Sequence, residues 1–447
     1  MTDGVPGVPG ILTPAGPWRN WGRTARAEPR FVARPRSIEE VAATVRFASV
    51  RGLPVKPVGT GHSFSEIAGT AGVQLDMSAL TGVVAVDPAS GTVGLGAGTT
   101  LREASALLGP LRLAFENLGD IDRQTISGAT STGTHGTGAA FGGLSTQIVA
   151  LTLVTADGAV LRIDHRENSE LLPAARVGLG ALGVIVEVTI QCVPAFLLHA
   201  IERPEPFDEV LGSFEERATG VDHFEFYWFP HTETVLTKNN TRLPAGSPRR
   251  PLGRVRSWVD DDLLSNGALA LCCTIGRMAP KATPPINRMA TRLVGDREFA
   301  DDSAAVFTSL RRVRFREMEY AIPREAVPDA LRDVRNLIQR RGWRISFPIE
   351  VRVAAPDENW LSTAYRRESG YIAVHRHVRD DPIEYFQAIE NVMRSYDGRP
   401  HWGKMHFQDA GSLAGLYPRF ADFLAVRDRL DPDRLFANPY LARVLGP

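Results

Sequence analysis

Residues 57–70 read PVGTGHSFSEIAGT, and residues 127–138 read SGATSTGTHGTG. The first is a glycine turn at the end of a short strand, VKPVG. The second combines four glycines with a run of hydroxyls. Glycine lets a backbone approach a ligand closely, and successive N–H groups form a concavity that suits an anion without a basic side chain. Gly128 and Gly133 have P-loop spacing, but Thr134 and His135 stand where Lys-Ser/Thr is required, so the Walker reading fails. A surface loop that happens to be rich in small residues is the alternative. Two such turns in one unit suit the two phosphates of a dinucleotide. A third stretch, GLGALG at 178–183, matches GxGxxG. It follows a helical stretch and precedes the strand VIVEVTI, the reverse of the Rossmann order, so it reads as a tight helix-to-strand turn. His62, alone between the Gly-Thr-Gly turn and Ser63-Phe64, is on residues alone a loop histidine, a metal ligand, a base or a point of cofactor attachment.

Working outward, the chain has 447 residues, too many for one ordinary core, so two domains are expected. Lys plus Arg and Asp plus Glu number 51 each, and a zero net charge gives no support to nucleic-acid binding. The three cysteines, Cys192, Cys272 and Cys273, include no CxxC, which suits a reducing compartment and argues against a disulfide scaffold. The longest apolar run, near residues 268–275, is far short of the ~20 residues that span a membrane. Residues 1–17 lack a signal-peptide pattern and are expected to be a flexible lead-in. The expected location is the cytoplasm.

Ser37–Gly52 carries a capped amphipathic helix, with Glu40 three residues after Ser37. Strands are expected at 73–76, 83–86, 92–95, 184–193 and, as a hairpin around Ala-Asp-Gly, at 148–155 and 160–163. Leu101–Leu108 reads as helix, and Asn117–Gly143 as loop. Residues 18–195 thus form one α+β unit. After Pro194 the texture changes. HFEFYWF (223–229), 313–322, 347–353 and 371–378 are strand-like, 237–256 is a polar, Pro-rich loop, and 326–341 is helical. The last helix stops at Asp431-Pro432.

With these stretches in place, the chain resembles the flavoproteins of the vanillyl-alcohol oxidase superfamily, and within it the sugar-1,4-lactone oxidoreductases. The resemblance rests on GTGHSFSEIAGT, ENLGDIDRQTISGATSTGTHGTG, GLGALGVIVEVT, HFEFYWFP, FREMEYAIP, FPIEVR, YIAVH, RPHWGK and DPDRLF, in family order. It implies an α+β fold with a two-subdomain FAD-binding domain of the PCMH type (18–195), an α+β substrate or cap domain (196–410), and a segment (411–447) that returns to the FAD domain. It implies FAD, bonded through its C8 methyl group to His62. Pro57, Val58, Gly59, Thr60, Gly61, His62 and Ser63 would form one side of the cofactor site. Ser127, Gly128, Thr130, Thr132, Gly133, Thr134, His135 and Gly138 would form the other. Gly119 and Asp120 would lie near the flavin, and Gly183 and Val186 near the adenine end. A bracing role for the His135 backbone is favoured over catalysis.

In FPIEVRV, Glu350 and Arg352 share one strand face, a pattern that alone usually marks a solvated ion pair. Tyr371, Ala373, His375 and His377 share another. A two-histidine metal site there lacks a further ligand in the sequence, so no metal is expected. By resemblance Glu350, Arg352, His375 and Lys404 form the catalytic group. The implied reaction is oxidation of a sugar-1,4-lactone of the L-gulono-1,4-lactone type at its C2 hydroxyl, with hydride transfer to flavin N5 and an ascorbate-type product. Arg352 and Lys404 would stabilise negative charge, and Glu350 or His375 would take the proton. The alternatives are an alditol oxidase or a D-arabinono-1,4-lactone oxidase using oxygen, or a non-catalytic flavin- or sugar-binding protein. Glycine at 119 is compatible with oxygen access, but the expectation leans to a dehydrogenase passing electrons to another acceptor such as a redox protein. Asp120 stands where alditol oxidases place a serine, which weighs against a linear alditol.

Overall fold

A computed structural model describes residues 11–253, 269–293, 295–309 and 311–447. The first glycine turn ends the strand Val55–Val58 at the edge of a four-stranded sheet. That strand pairs in parallel with Val73–Asp76, which pairs in parallel with Phe31–Ala33. The crossover from Phe31–Ala33 to this edge is the helix Ile38–Val50. Ser37 caps it by accepting from the Glu40 N–H, and Val41, Val45 and Phe47 are buried along one face. A second, antiparallel sheet of five strands has Val184–Gln191 at its centre, flanked by Ile148–Val154 and Thr92–Gly96, with Val160–Ile163 at the edge beyond Ile148–Val154. The helix Leu101–Leu108 begins at a capping box formed by Thr100 and Glu103. The core around Leu75, Leu95 and Ile190 also takes in Phe423, Phe436 and Val444 from the C-terminal segment.

The rest of the chain is built on one eight-stranded sheet. Its central strands are His223–Trp228, Ile349–Ala354, Ser369–His377 and Phe315–Pro323. Each of these alternates strictly. Phe224, Phe226, Met318, Tyr320, Ile349, Val351, Ile372 and Val374 point to a core with the helices Val327–Arg341 and Ile383–Arg394. The residues between them, all on the opposite face, are largely charged or aromatic: Glu225, Tyr227, Glu317, Glu319, Glu350, Arg352, Tyr371 and His375. A period of two therefore sorts core from site on every strand.

Three sequence expectations are corrected. The stretch 117–143 contains the helix Ile126–Ser131, which small polar residues disguise as loop. Thr234–Arg242 is a strand in mid-sheet, pairing with Leu197–Pro206 and His223–Trp228; only the part of the expected loop from 243 to 253 is irregular, and 254–256 lie outside the described residues. Its polar residues mislead because one side of this sheet faces charged partners rather than a core. Within the expected flexible lead-in, Leu12–Pro14 pairs antiparallel with Phe31–Ala33, while residues 1–10 lie outside the described residues.

Candidate active site

Two cavities meet at His62, Ser63 and Gln124, which line both. The second cavity, about 840 Å³ including space open to solvent, is walled by the two glycine segments. Pro57, Val58, Gly59, Thr60, Gly61, His62 and Ser63 line one side; Ser127, Gly128 and Thr132 line another; Gly183 closes an end. Side chains are excluded here by contact. A Cβ on Gly59 would lie 2.1 Å from Thr125 Oγ1, and Gly61 has φ +68°. Gly183, at φ +150°, lies against the Val154 carbonyl, which a Cβ would approach to 2.8 Å.

Four residues expected at the cofactor line neither cavity. Thr130 is fully buried, its hydroxyl donating to the Ile126 carbonyl within the helix. Gly133 (φ +77°) turns the chain after that helix. Gly138 donates its N–H to the Val353 carbonyl and packs at the sheet, and Val186 is interior to its strand. Gly119, Asp120, Thr134 and His135 line the first cavity instead. A Cβ on Gly119 would meet the His135 carbonyl at 2.9 Å, so backbone packing alone accounts for glycine there.

The first cavity, about 980 Å³ including space open to solvent, lies over the charged face of the eight-stranded sheet. Strand register sets its floor. Glu317 is opposite His375, Glu319 and Glu350 both flank Ala373, and Tyr227 is opposite Glu350. Arg352 Nε donates to Glu225 Oε2 at 2.9 Å, and its guanidinium pairs with Glu350 Oε1. Tyr227 Oη donates to the same Glu350 oxygen at 2.9 Å. Lys238 Nζ holds Glu225 from behind at 2.7 Å. Nearby, Asp120 accepts from Ser309 Oγ at 2.6 Å and Arg311 Nε at 2.8 Å. Lys404 Nζ, from the loop after Arg399–Pro400, pairs with Glu317 on the strand Phe315–Pro323 at 2.5 Å. His375 Nδ1 donates to the Pro348 carbonyl at 3.0 Å, because a carbonyl only accepts, and this turns Nε2 toward Glu317 at 3.6 Å. His135 Nε2 faces Glu319 at 3.3 Å, and its ring stacks on Tyr371 with centroids 3.6 Å apart. Gly403 N–H donates to His401 Nδ1 at 3.0 Å, which leaves the His401 proton on Nε2. His377, on the outer end of the strand, stays away from the cavity.

Burial and pairing divide these groups. Burial raises the Glu350 carboxyl, Arg352 opposes it, and Glu225 and Asp120 raise it further; the net shift is upward. Burial also works to raise Glu317, but Lys404 and His375 overcome it and bring it to about 2. Asp120 is likewise lowered by Arg311 and Arg352 against burial. Burial, then the charges of Lys404 and Arg123, lower His62 to about 4. Its imidazole, stacked on Trp21, is neutral at pH 7.

Comparison with known proteins fits this arrangement. Residues 188–444 match the family model described as D-arabinono-1,4-lactone oxidase. This chain belongs to the sugar-1,4-lactone oxidoreductase family. Residues 29–164 match an FAD binding domain. The chain is 46% identical over 430 residues to an L-gulono-1,4-lactone dehydrogenase of Mycobacterium tuberculosis, covering 96% of this chain and 99% of that protein. It is 35% identical to an L-gulonolactone oxidase of Bos taurus, over 96% and 98%. It is 31% identical to an alditol oxidase of a Streptomyces species, over 95% and 98%. Its fold superposes on a cholesterol oxidase of Brevibacterium sterolicum with a TM-score of 0.83 at 20% identity, covering 99% of both chains. The family is that of the vanillyl-alcohol oxidase flavoproteins, the fold includes the PCMH-type FAD domain, and the protein is an FAD-dependent oxidoreductase.

The residues present fit FAD. The second cavity offers a cradle of glycine backbone, hydroxyls and apolar side chains, and the family's flavin ring has a place to reach where it joins the first. Residues at or just behind the first cavity that sequence reasoning misses are Glu225, Tyr227, Lys238, Arg311, Glu317, Glu319 and His401. All but Arg311 and His401 sit on strands of the large sheet; alternation on FREMEYAIP and HFEFYWFP puts Glu225, Tyr227, Glu317 and Glu319 on one face, and register with the neighbouring strands shows what they meet.

Proposed function

We propose that this protein oxidises the C2 hydroxyl of a sugar-1,4-lactone of the L-gulono type to an ascorbate-type product. FAD would lie in the second cavity with its ring at the junction, bonded to His62. The observation that carries the reading is the paired Glu350–Arg352 on the floor of the cavity that His62 also lines. FAD, when bound, supplies the hydride acceptor. Arg352, fixed by Glu225 and Lys238, holds the oxygen on which charge develops, and Lys404 adds a second positive charge. Glu350 takes the hydroxyl proton, for which burial gives it a raised affinity. His375 is a second candidate for that proton, because its Nδ1–H is committed to Pro348 and its Nε2 borders the cavity. The neutral His62 ring is suited to act as a nucleophile toward the flavin methyl group. We further propose residues 18–195 with 411–447 as the FAD unit and 196–410 as the substrate unit. A redox acceptor other than oxygen and a cytoplasmic location complete the reading; among the described residues no helix is long and apolar enough to cross a membrane.

Two measurements test this. Turnover of L-gulono-1,4-lactone with an artificial acceptor should exceed turnover of linear alditols, and with oxygen as acceptor it should drop; alditol preference would overturn the substrate. After acid precipitation, flavin absorbance should stay in the pellet and map to the His62 peptide. Its release to the supernatant would remove the covalent bond and leave the rest.

A further inference from the structure

Lys56 is the one charged residue in the strand that enters the first glycine turn, and the chemistry above leaves it unused. It is 2% exposed and lines the second cavity. Its Nζ donates to two carbonyls from distant segments: Gly180, in the helix-to-strand turn, at 3.2 Å, and Phe436, after the last long helix, at 3.0 Å. One nitrogen thereby ties two segments that line the cavity, its own strand and the Gly180 turn, to the Phe436 loop. An ammonium has three N–H donors, and among the described residues the protein supplies two acceptors. The third is left for whatever fills the cavity. A neutral amine, with two N–H groups, would match the two carbonyls and have none to offer.

The charged surroundings are sparse. Asp431 is the carboxylate that acts on Lys56, but it accepts from the Leu435 and Phe436 N–H groups at 2.7 and 2.9 Å and forms no ion pair with the lysine. Arg434, on the same loop, is engaged with Asp428 and the Asp431 carbonyl. The register neighbour Gln74 is uncharged, the turn 178–183 holds no titratable group, and His62 lies at the cavity junction. Burial lowers Lys56 to about 7, with Asp431 offsetting part of that.

We propose that Lys56 is a cofactor-binding residue that, as an ammonium, donates its third N–H to the anionic pyrophosphate of the dinucleotide while fastening the Gly180 turn, in the cavity wall, to the Phe436 loop. This rests on the second cavity being the FAD site. Seating the cofactor at alkaline pH then draws one proton from solvent onto Nζ.

The test uses the full chain carrying His62→Ala, so that FAD exchanges reversibly. The stripped protein is titrated with FAD from pH 6 to 9 by flavin fluorescence, and by calorimetry in two buffers of different ionisation enthalpy. Affinity should hold below pH 7 and weaken above it by up to about tenfold per pH unit, with about one proton taken up near pH 8. Lys56→Met should weaken binding about tenfold or more at pH 6 and abolish both the slope and the uptake. Lys56→Arg, permanently charged, should restore affinity at pH 8 without the slope. If Lys56→Met does not fold, the proton uptake and the Lys56→Arg profile decide alone. Unchanged affinity and slope in Lys56→Met, or a slope that persists in Lys56→Arg, would overturn the inference. A parent chain that binds no FAD at any pH would instead overturn the flavin reading, and this inference with it.

Discussion

Around the first cavity, side chains of opposite charge face one another: Glu350 and Arg352, Glu225 and Lys238, Glu317 and Lys404. Around the second, the walls are glycine, small hydroxyls and apolar side chains such as Trp18, Ile67, Met77 and Ile185, with Lys56 the one lysine among the described residues that line it. The cavities share His62, yet they are built in different ways. The second comes mostly from three short contiguous runs of chain, 56–68, 124–132 and 179–185. The first is assembled from strands that lie far apart in sequence and meet only through register. One therefore depends on what its side chains carry, and the other on what its residues lack.

The largest effect that tests this contrast is truncation in the first cavity. Glu350→Gln keeps the shape and removes the base, and Arg352→Met removes the fixed positive charge. Each should lower kcat/KM by about 10²–10³. In the parent protein kcat/KM should rise with pH as Glu350 loses its proton, with a midpoint above the ordinary carboxylate range because its affinity for the proton is raised. Steady-state kinetics across pH checks both. Persistence of that limb in Glu350→Gln would pass the role to His375.

Next is Lys404→Met. It strips the closest cation from Glu317, a carboxylate with 5% of its side chain exposed. Breaking a buried pair from one side typically costs ~3–5 kcal/mol. Lys404 is partly exposed and His375 remains beside Glu317, so about 2 kcal/mol is expected, read from denaturant midpoints, with activity down about tenfold or more. The sign with pH follows from Glu317, whose folded value lies near 2, below its unfolded value. Its pairing stabilises the fold fully above pH ~4.3 and is lost as pH falls through 2. Lys404→Met should flatten that acid limb, and an unchanged limb would break the assignment.

In the second cavity the damaging change is an addition. Gly59→Ala places a methyl group 2.1 Å from Thr125 Oγ1. Overpacking of this kind costs about 1–3 kcal/mol. The expected result is partial loss of flavin from the purified protein, with the lactone KM of the remaining holoenzyme unchanged. Thr60→Ala, a truncation on the same wall, should change flavin content little. If the truncation hurts more than the addition, the two cavities are not built as contrasted here.

The same contrast explains what can be read from sequence. PVGTGHS and SGATSTGTHGTG are local, so composition and spacing offer a cradle there, with a small-residue surface loop as the alternative. Thr130, Gly133 and Gly138 sit inside the second run and Val186 just beyond GLGALG, yet none of the four lines either cavity. Spacing alone does not distinguish a residue of the cavity wall from one that shapes the backbone path behind it. Alternation puts Glu350 and Arg352 of FPIEVR on one strand face, where alone they read as a solvated ion pair; the family resemblance is what makes them, and His375, candidates for the site. Glu225 and Lys238 are not legible in sequence, because their role depends on the pairing of His223–Trp228 with Thr234–Arg242, and the second of these reads as polar loop. Glu317 and Glu319 lie on an expected strand, but only register with Ser369–His377 shows what they face.

The smallest effect should come from the outermost member of the Arg352 cluster. Tyr227 donates to Glu350 Oε1, and its own hydroxyl is held strongly protonated by burial and by the carboxylates beside it. Tyr227→Phe removes one neutral donor to a charged acceptor and leaves Arg352 in place. Hydrogen bonds to charged groups are worth about 1.5–3 kcal/mol, but Arg352 still satisfies the same oxygen. A loss of only a few-fold in kcat is therefore expected, with a further upward shift of the alkaline-rising limb, since the bond that favours ionised Glu350 is gone. A shift in that limb without a change in lactone KM would place Tyr227 as a tuner of Glu350. An unshifted limb with a raised KM would make the hydroxyl a substrate contact, and the charged face would then extend one strand further into the binding surface.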